Sequence, residues 1–92
     1  MGVTVRIPGP LRKITQGVEK LEVEGATLGD CIGVLEERFP GIKERLLDEE
    51  GQMRYFVNVY LNGEDVRFLK GLDTPTNAGD ELSIVPAVAG GR

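Results

Sequence analysis

The chain has 92 residues, with 15 acidic against 11 basic side chains and a formal charge of −4. That is one small domain, burying roughly 60–65% of its unfolded surface on folding. Its acidic balance argues against a phosphate-neutralising surface, and so against nucleic acid as a partner. With no histidine and a single cysteine, it lacks the usual general base, a Ser-His or Cys-His nucleophile, an internal disulfide and a Cys-pair zinc site. A chain this short also has little room for a deep substrate pocket, so no catalysis of its own is expected. No apolar run approaches the ~20 residues of a membrane helix, and Met1–Arg6 lacks the basic and apolar regions of a signal peptide. The expected compartment is the cytoplasm, with no membrane partner.

Val3, Val5 and Ile7 alternate with Thr4 and Arg6, which predicts a first strand with one apolar face. Pro8-Gly9-Pro10 stops it, and a loop runs to about Gly17. Val18 to Glu24 then forms a second strand with Leu21 and Val23 inward, making a hairpin with the first. At Gly25-Ala26-Thr27 the period changes. Thr27 with Asp30 resembles a capping box, and Leu28, Cys31, Ile32, Leu35 and Phe39 follow helical spacing along one face. Pro40-Gly41 ends this helix. Cys31 reads as a small core residue rather than a reactive thiol. Ile42 to Leu47 predicts a further helical turn, with Leu46 and Leu47 capping the core, and Asp48-Glu49-Glu50-Gly51 a solvated loop rather than a cation site.

The strongest strand signal is Arg54 to Leu61, with Tyr55, Val57, Val59 and Leu61 on one face and Phe56, Asn58 and Tyr60 on the other. Asn62-Gly63 predicts a hairpin turn, since both positions favour φ > 0, and Glu64 to Phe68 a short partner strand. Lys70 to Asn77 reads as a loop. Gly79-Asp80 leads into a last strand with Leu82 and Ile84 inward, and Pro86 ends it because proline has no N–H for the ladder. Val5, Ile7, Leu21, Val23, Leu28, Ile32, Leu35, Val57, Val59, Leu82 and Ile84 are the expected core. Arg6, Phe56, Tyr60 and Val85 then share the outer face of the sheet, a candidate docking surface for a partner protein.

The tail Ala87-Val88-Ala89-Gly90-Gly91-Arg92 is uncharged up to Gly91. The expected division is a folded domain over 1–86 and an extended tail over 87–92. Five residues beyond Pro86 reach at most roughly 17 Å, and glycines at the end let another backbone approach with no Cβ in the way. Such an arm suits insertion into a partner.

The order ββ-α-ββ-β ending in a glycine pair resembles the ubiquitin-like sulfur-carrier family, an α+β β-grasp fold with a mixed sheet of about five strands packed on one main helix. The resemblance rests on Val3–Pro8, on Thr27-Leu28-Gly29-Asp30, on Val57-Asn58-Val59-Tyr60-Leu61-Asn62-Gly63-Glu64-Asp65-Val66-Arg67, and on Gly79 to Gly91. A glycine pair alone is a weak signal; one that follows a Gly-Asp-Glu turn, a strand and a proline is far more specific. The middle and last segments most resemble the carriers of cysteine synthesis, a group related to the molybdopterin synthase small subunit and the thiamine-pathway carrier.

What this resemblance implies is a carrier that supplies a body and a reach but no catalytic group, and that binds no cofactor permanently. A ubiquitin-activating-like enzyme would use ATP to adenylate the Gly91 carboxylate, a sulfur donor would displace AMP to leave a thiocarboxylate, and a cysteine synthase-like enzyme would accept the sulfur. Arg92 departs from the pattern, because it ties the Gly91 carboxylate into a peptide bond. The resemblance implies a zinc metallopeptidase that removes it; the alternative is that Arg92 is a remnant of how the chain was produced. Three other readings stay open: a protein modifier joined to lysines through Gly91, a sulfur donor for molybdopterin or thiamine synthesis, and a non-covalent ubiquitin-like interaction module.

Overall fold

A computed structural model describes residues 2–86. Five strands form one mixed sheet: β1 (Val3–Arg6), β2 (Lys20–Val23), β3 (Val57–Leu61), β4 (Glu64–Asp65) and β5 (Glu81–Pro86), in the spatial order β2-β1-β5-β3-β4. The two central strands, β1 and β5, run parallel, and the other neighbours are antiparallel. Helix α1 (Leu28–Arg38) makes the crossover and the short α2 (Ile42–Leu46) follows it. This is the β-grasp arrangement, with one face of the sheet closed by α1.

Alternation fixes the faces as the sequence implies. Val3, Val5, Val23, Val57, Val59, Leu82 and Ile84 are buried against Leu28, Cys31, Ile32 and Leu35 of α1. Leu21 is only half-buried, because β2 is an edge strand. Leu46 and Leu47 cap the core as expected, and Ile42 and Val66 extend it further.

At the start of α1 the Thr27 hydroxyl accepts from the Asp30 N–H at 3.2 Å. The Asp30 carboxylate reaches back to the Ala26 N–H at 3.2 Å, one residue before the cap. Both partners of the capping box are thus present, and Asp, being shorter than Glu, bonds the neighbouring amide. Asn62 and Gly63 hold φ of 52° and 92°, as a tight hairpin turn requires. Asn62 also binds the turn before β5: its side chain donates to Asp80 at 3.1 Å and accepts from the Glu81 N–H at 3.0 Å.

Two expectations are corrected. The third strand begins at Val57, not Arg54. The Arg54 N–H donates to Leu46 O and its Nε to Glu44 O, so that residue belongs to the end of α2, and Tyr55 projects into solvent, 89% exposed. The partner strand stops at Asp65, whose carboxylate accepts from the Arg67 N–H at 2.8 Å and turns Val66–Phe68 into a 3-10 helix. The segment 70–77 is a loop as expected, with a 3-10 turn at Gly71–Asp73, and it is laced to α1: Leu28 N–H donates to Thr74 O, Thr76 N–H to Ala26 O, and Thr74 and Thr76 are buried.

Glu36 joins the two helices. Its carboxylate accepts from the backbone N–H of Lys43 at 2.9 Å and of Gly41 at 3.1 Å. These bonds hold its carboxyl below the usual glutamate range, the Lys43 amide most and Gly41 next. A group whose pKa is depressed by folding contributes stability above its unfolded value and loses it as pH falls through the folded one. Glu36→Ala is therefore expected to melt below the parent at pH 7. The gap should close on acidification below the glutamate range, as followed by circular dichroism; a gap that persists in acid would assign the effect to packing.

Candidate functional site

The site is organised by the end of β5. Pro86 lies opposite Val57, the first residue of β3, and Val85 opposite Asn58. Ala87, Val88, Ala89, Gly90, Gly91 and Arg92, the expected tail, lie outside the described residues.

On the outer face of the sheet Arg6 and Tyr60 both lie opposite Ser83, on either side of β5, and Val85 is exposed on the same face. Arg6 is fixed by Glu81, Nε to Oε2 at 2.8 Å. With both side chains about half exposed, 56% and 43%, this pair orients Arg6 more than it stabilises the fold. The structure brings Arg6, Tyr60 and Val85 together. It sets Phe56 apart: that residue precedes β3, packs partly against the core, and lines a groove with Leu11, Val57, Ile84 and Pro86.

Sequence reasoning passed over Arg67. One guanidinium nitrogen donates to Asn58 Oδ1 and the other to Arg54 O, both at 2.7 Å, so Arg67 clamps the entry to β3 beside Val85. Its place in the turn after the Asn62-Gly63 hairpin, opposite Asn58, was the available signal. Tyr55 and Phe68 are large exposed side chains of that same region, at 89% and 87%.

Cys31 is fully buried, as its place on the apolar face of α1 implies. Its Sγ lies 3.6 Å from the Thr76 hydroxyl, which itself donates to Gly25 O at 2.8 Å. Burial pushes the thiol up, outweighing the Thr76 bond, and a protonated, enclosed thiol is inert. In the acidic loop Asp48 Oδ1 accepts from the N–H groups of Glu50 and Gln52, forming a local turn. Among the described residues no group of three or more Cys, Asp or Glu is placed to hold a metal, and no helix is long and apolar enough to cross a membrane.

The model of the ThiS family matches residues 5–91 of the chain. The sulfur carrier protein CysO of Mycobacterium tuberculosis is 50% identical over 93 residues, covering 99% of this chain and 100% of the relative. Small archaeal modifier protein 3 of Haloferax volcanii is 41% identical over 68 residues, covering 74% and 73%. Among solved structures, that of the Amycolatopsis orientalis BexX/CysO complex contains a chain matching with a TM-score of 0.92 at 50% identity, over 98% of this chain and 100% of that one.

Proposed function

The chain belongs to the ThiS family, and from that premise we propose that it is a sulfur carrier of cysteine synthesis, working through the carboxylate of Gly91. The observation that carries this reading is the end-to-end likeness, at half identity, to a protein named as a sulfur carrier. A carboxylate resists attack until one of its oxygens becomes a good leaving group. In the proposed first step a Gly91 oxygen attacks the α-phosphorus of ATP on an adenylating enzyme. Pyrophosphate leaves and an acyl adenylate remains. Hydrosulfide delivered by a sulfur donor then adds to the carbonyl carbon and expels AMP, and loss of its remaining proton leaves a thiocarboxylate. That sulfur is the more nucleophilic atom and is passed to an acceptor enzyme resembling cysteine synthase. The carrier contributes position, with ATP consumed by the enzyme that activates it and no cofactor of its own. A relative solved in complex with BexX supports a carrier that docks onto another protein.

Gly91 is followed by Arg92, so the bond between them has to be hydrolysed before the carboxylate exists. A zinc metallopeptidase is the proposed processing partner, and the cytoplasm the proposed site of action.

Mass spectrometry tests the reading. Incubation with ATP, the activating enzyme and a sulfur donor should replace one oxygen of the processed carrier by sulfur. A second reading is favoured by the modifier relative: there Gly91 would be joined to lysine amines, and adducts on other proteins would appear instead. No change in mass under either condition would overturn both.

Docking of the activating enzyme is assigned to the outer sheet face. Tyr60→Ala should weaken that binding about tenfold while leaving the melting curve close to the parent, since Tyr60 faces outward and only half-buried. Titration calorimetry reads the affinity, and an unchanged value would remove this face from the interface.

A further inference from the structure

A groove of about 310 Å³ opens at the end of the sheet where β5 stops, between the turn Gly9–Leu11, α2 and the start of β3. Leu11, Val57 and Ile84 in it are buried side chains of the core edge, and Phe56 and Pro86 are half-buried beside them. The groove is apolar within and charged at its rim, where Glu44, Arg45 and Arg54 stand. Arg54 is already committed, its Nε donating to Glu44 O at 2.8 Å. Arg45 is exposed and makes no ion pair among the described residues. Two cations against one carboxylate leave this rim positive on a chain whose net charge is −4.

We propose that this groove is a second contact for the enzyme that activates Gly91, filled by one apolar side chain of that enzyme with a carboxylate beside it facing Arg45. The proposal rests on the sulfur-carrier reading above. Its geometry follows from the length of the tail. Gly91 lies five residues past Pro86, which is itself a wall of the groove, and five residues span at most roughly 17 Å. A protein that encloses the Gly91 carboxylate must bring its surface over this end of the sheet. The volume takes a large aliphatic or aromatic side chain, and the rim selects an acidic neighbour over a basic one. This contact lies apart from Tyr60, and uses the residue, Phe56, that the fold separates from the outer face.

The test is steady-state pyrophosphate release from ATP, using the activating enzyme and the carrier ending at Gly91. Arg45→Glu changes an exposed side chain and leaves the tail intact; Phe56→Ala removes the apolar wall, and melting curves check that both variants fold. The expected result is a KM for carrier raised about tenfold in each, with kcat unchanged. The salt dependence of KM should also flatten in Arg45→Glu. Turnover of the parent with KM unmoved in both variants would overturn the contact alone. A lowered KM would overturn it too, since it would mean that the chain's own tail occupies the groove and has to be released. No pyrophosphate from the parent would overturn the functional reading, and this contact with it.

Discussion

Pyrophosphate release is expected from a chain that ends at Gly91 and from none in which Arg92 still follows it. The effect should be all or nothing, because the Gly91 carboxylate that attacks ATP is absent, not weakened: the one oxygen left on Gly91 is then an amide carbonyl. Arg92 adds a second obstacle. Where the proposed enzyme encloses the end of the tail, the Arg92 guanidinium must be desolvated or turned back, so binding should suffer as well as chemistry. Both chains would be incubated with ATP and the activating enzyme, and pyrophosphate counted. Treatment of the longer chain with the proposed metallopeptidase should restore the signal. Equal release from the untreated chains would sink the requirement for processing.

The second large effect lies in the core. Leu35 is 1% exposed on the inner face of α1, among side chains contributed by the central strands. Leu35→Ala should destabilise by roughly 2–4 kcal/mol, the lost transfer energy plus a cavity that a small domain fills poorly. For a domain of this size that is a fall in Tm of more than about 10 °C. Denaturant and thermal melts read it directly. A near-parental midpoint would mean that α1 presents a different face to the sheet.

Periodicity carried the sequence reading furthest where one residue decides one contact. Alternation placed Val5 and Leu82 inward and Arg6 and Val85 outward, and Asn62-Gly63 announced its turn through backbone preference alone. Thr27 and Asp30 did the same for the start of α1. The reading failed where a distant segment overrides the local pattern. Tyr55 alternates correctly with Val57, yet the end of α2 takes the Arg54 backbone and the strand does not begin until Val57. The burial of the loop residues Thr74 and Thr76 was not legible, because nothing near them in sequence reveals the carbonyls and amides of Gly25, Ala26 and Leu28 that they meet. The outer face of the candidate site was legible because it lies on three neighbouring strands of known phase. The groove beside it was not, being assembled from residues as far apart as Leu11, Arg45, Phe56 and Pro86.

The position of β5 has a mechanical consequence. The strand that leads to Gly91 is bonded on one side to β1 and on the other to β3. Its hydrogen bonds lie across the direction in which it runs. A pull applied along β5 therefore loads two ladders in shear at once, whereas the edge strand β4 is held by one ladder alone. The proposed activating enzyme, if it pulls on this end of the chain, would pull on a strand held on both sides.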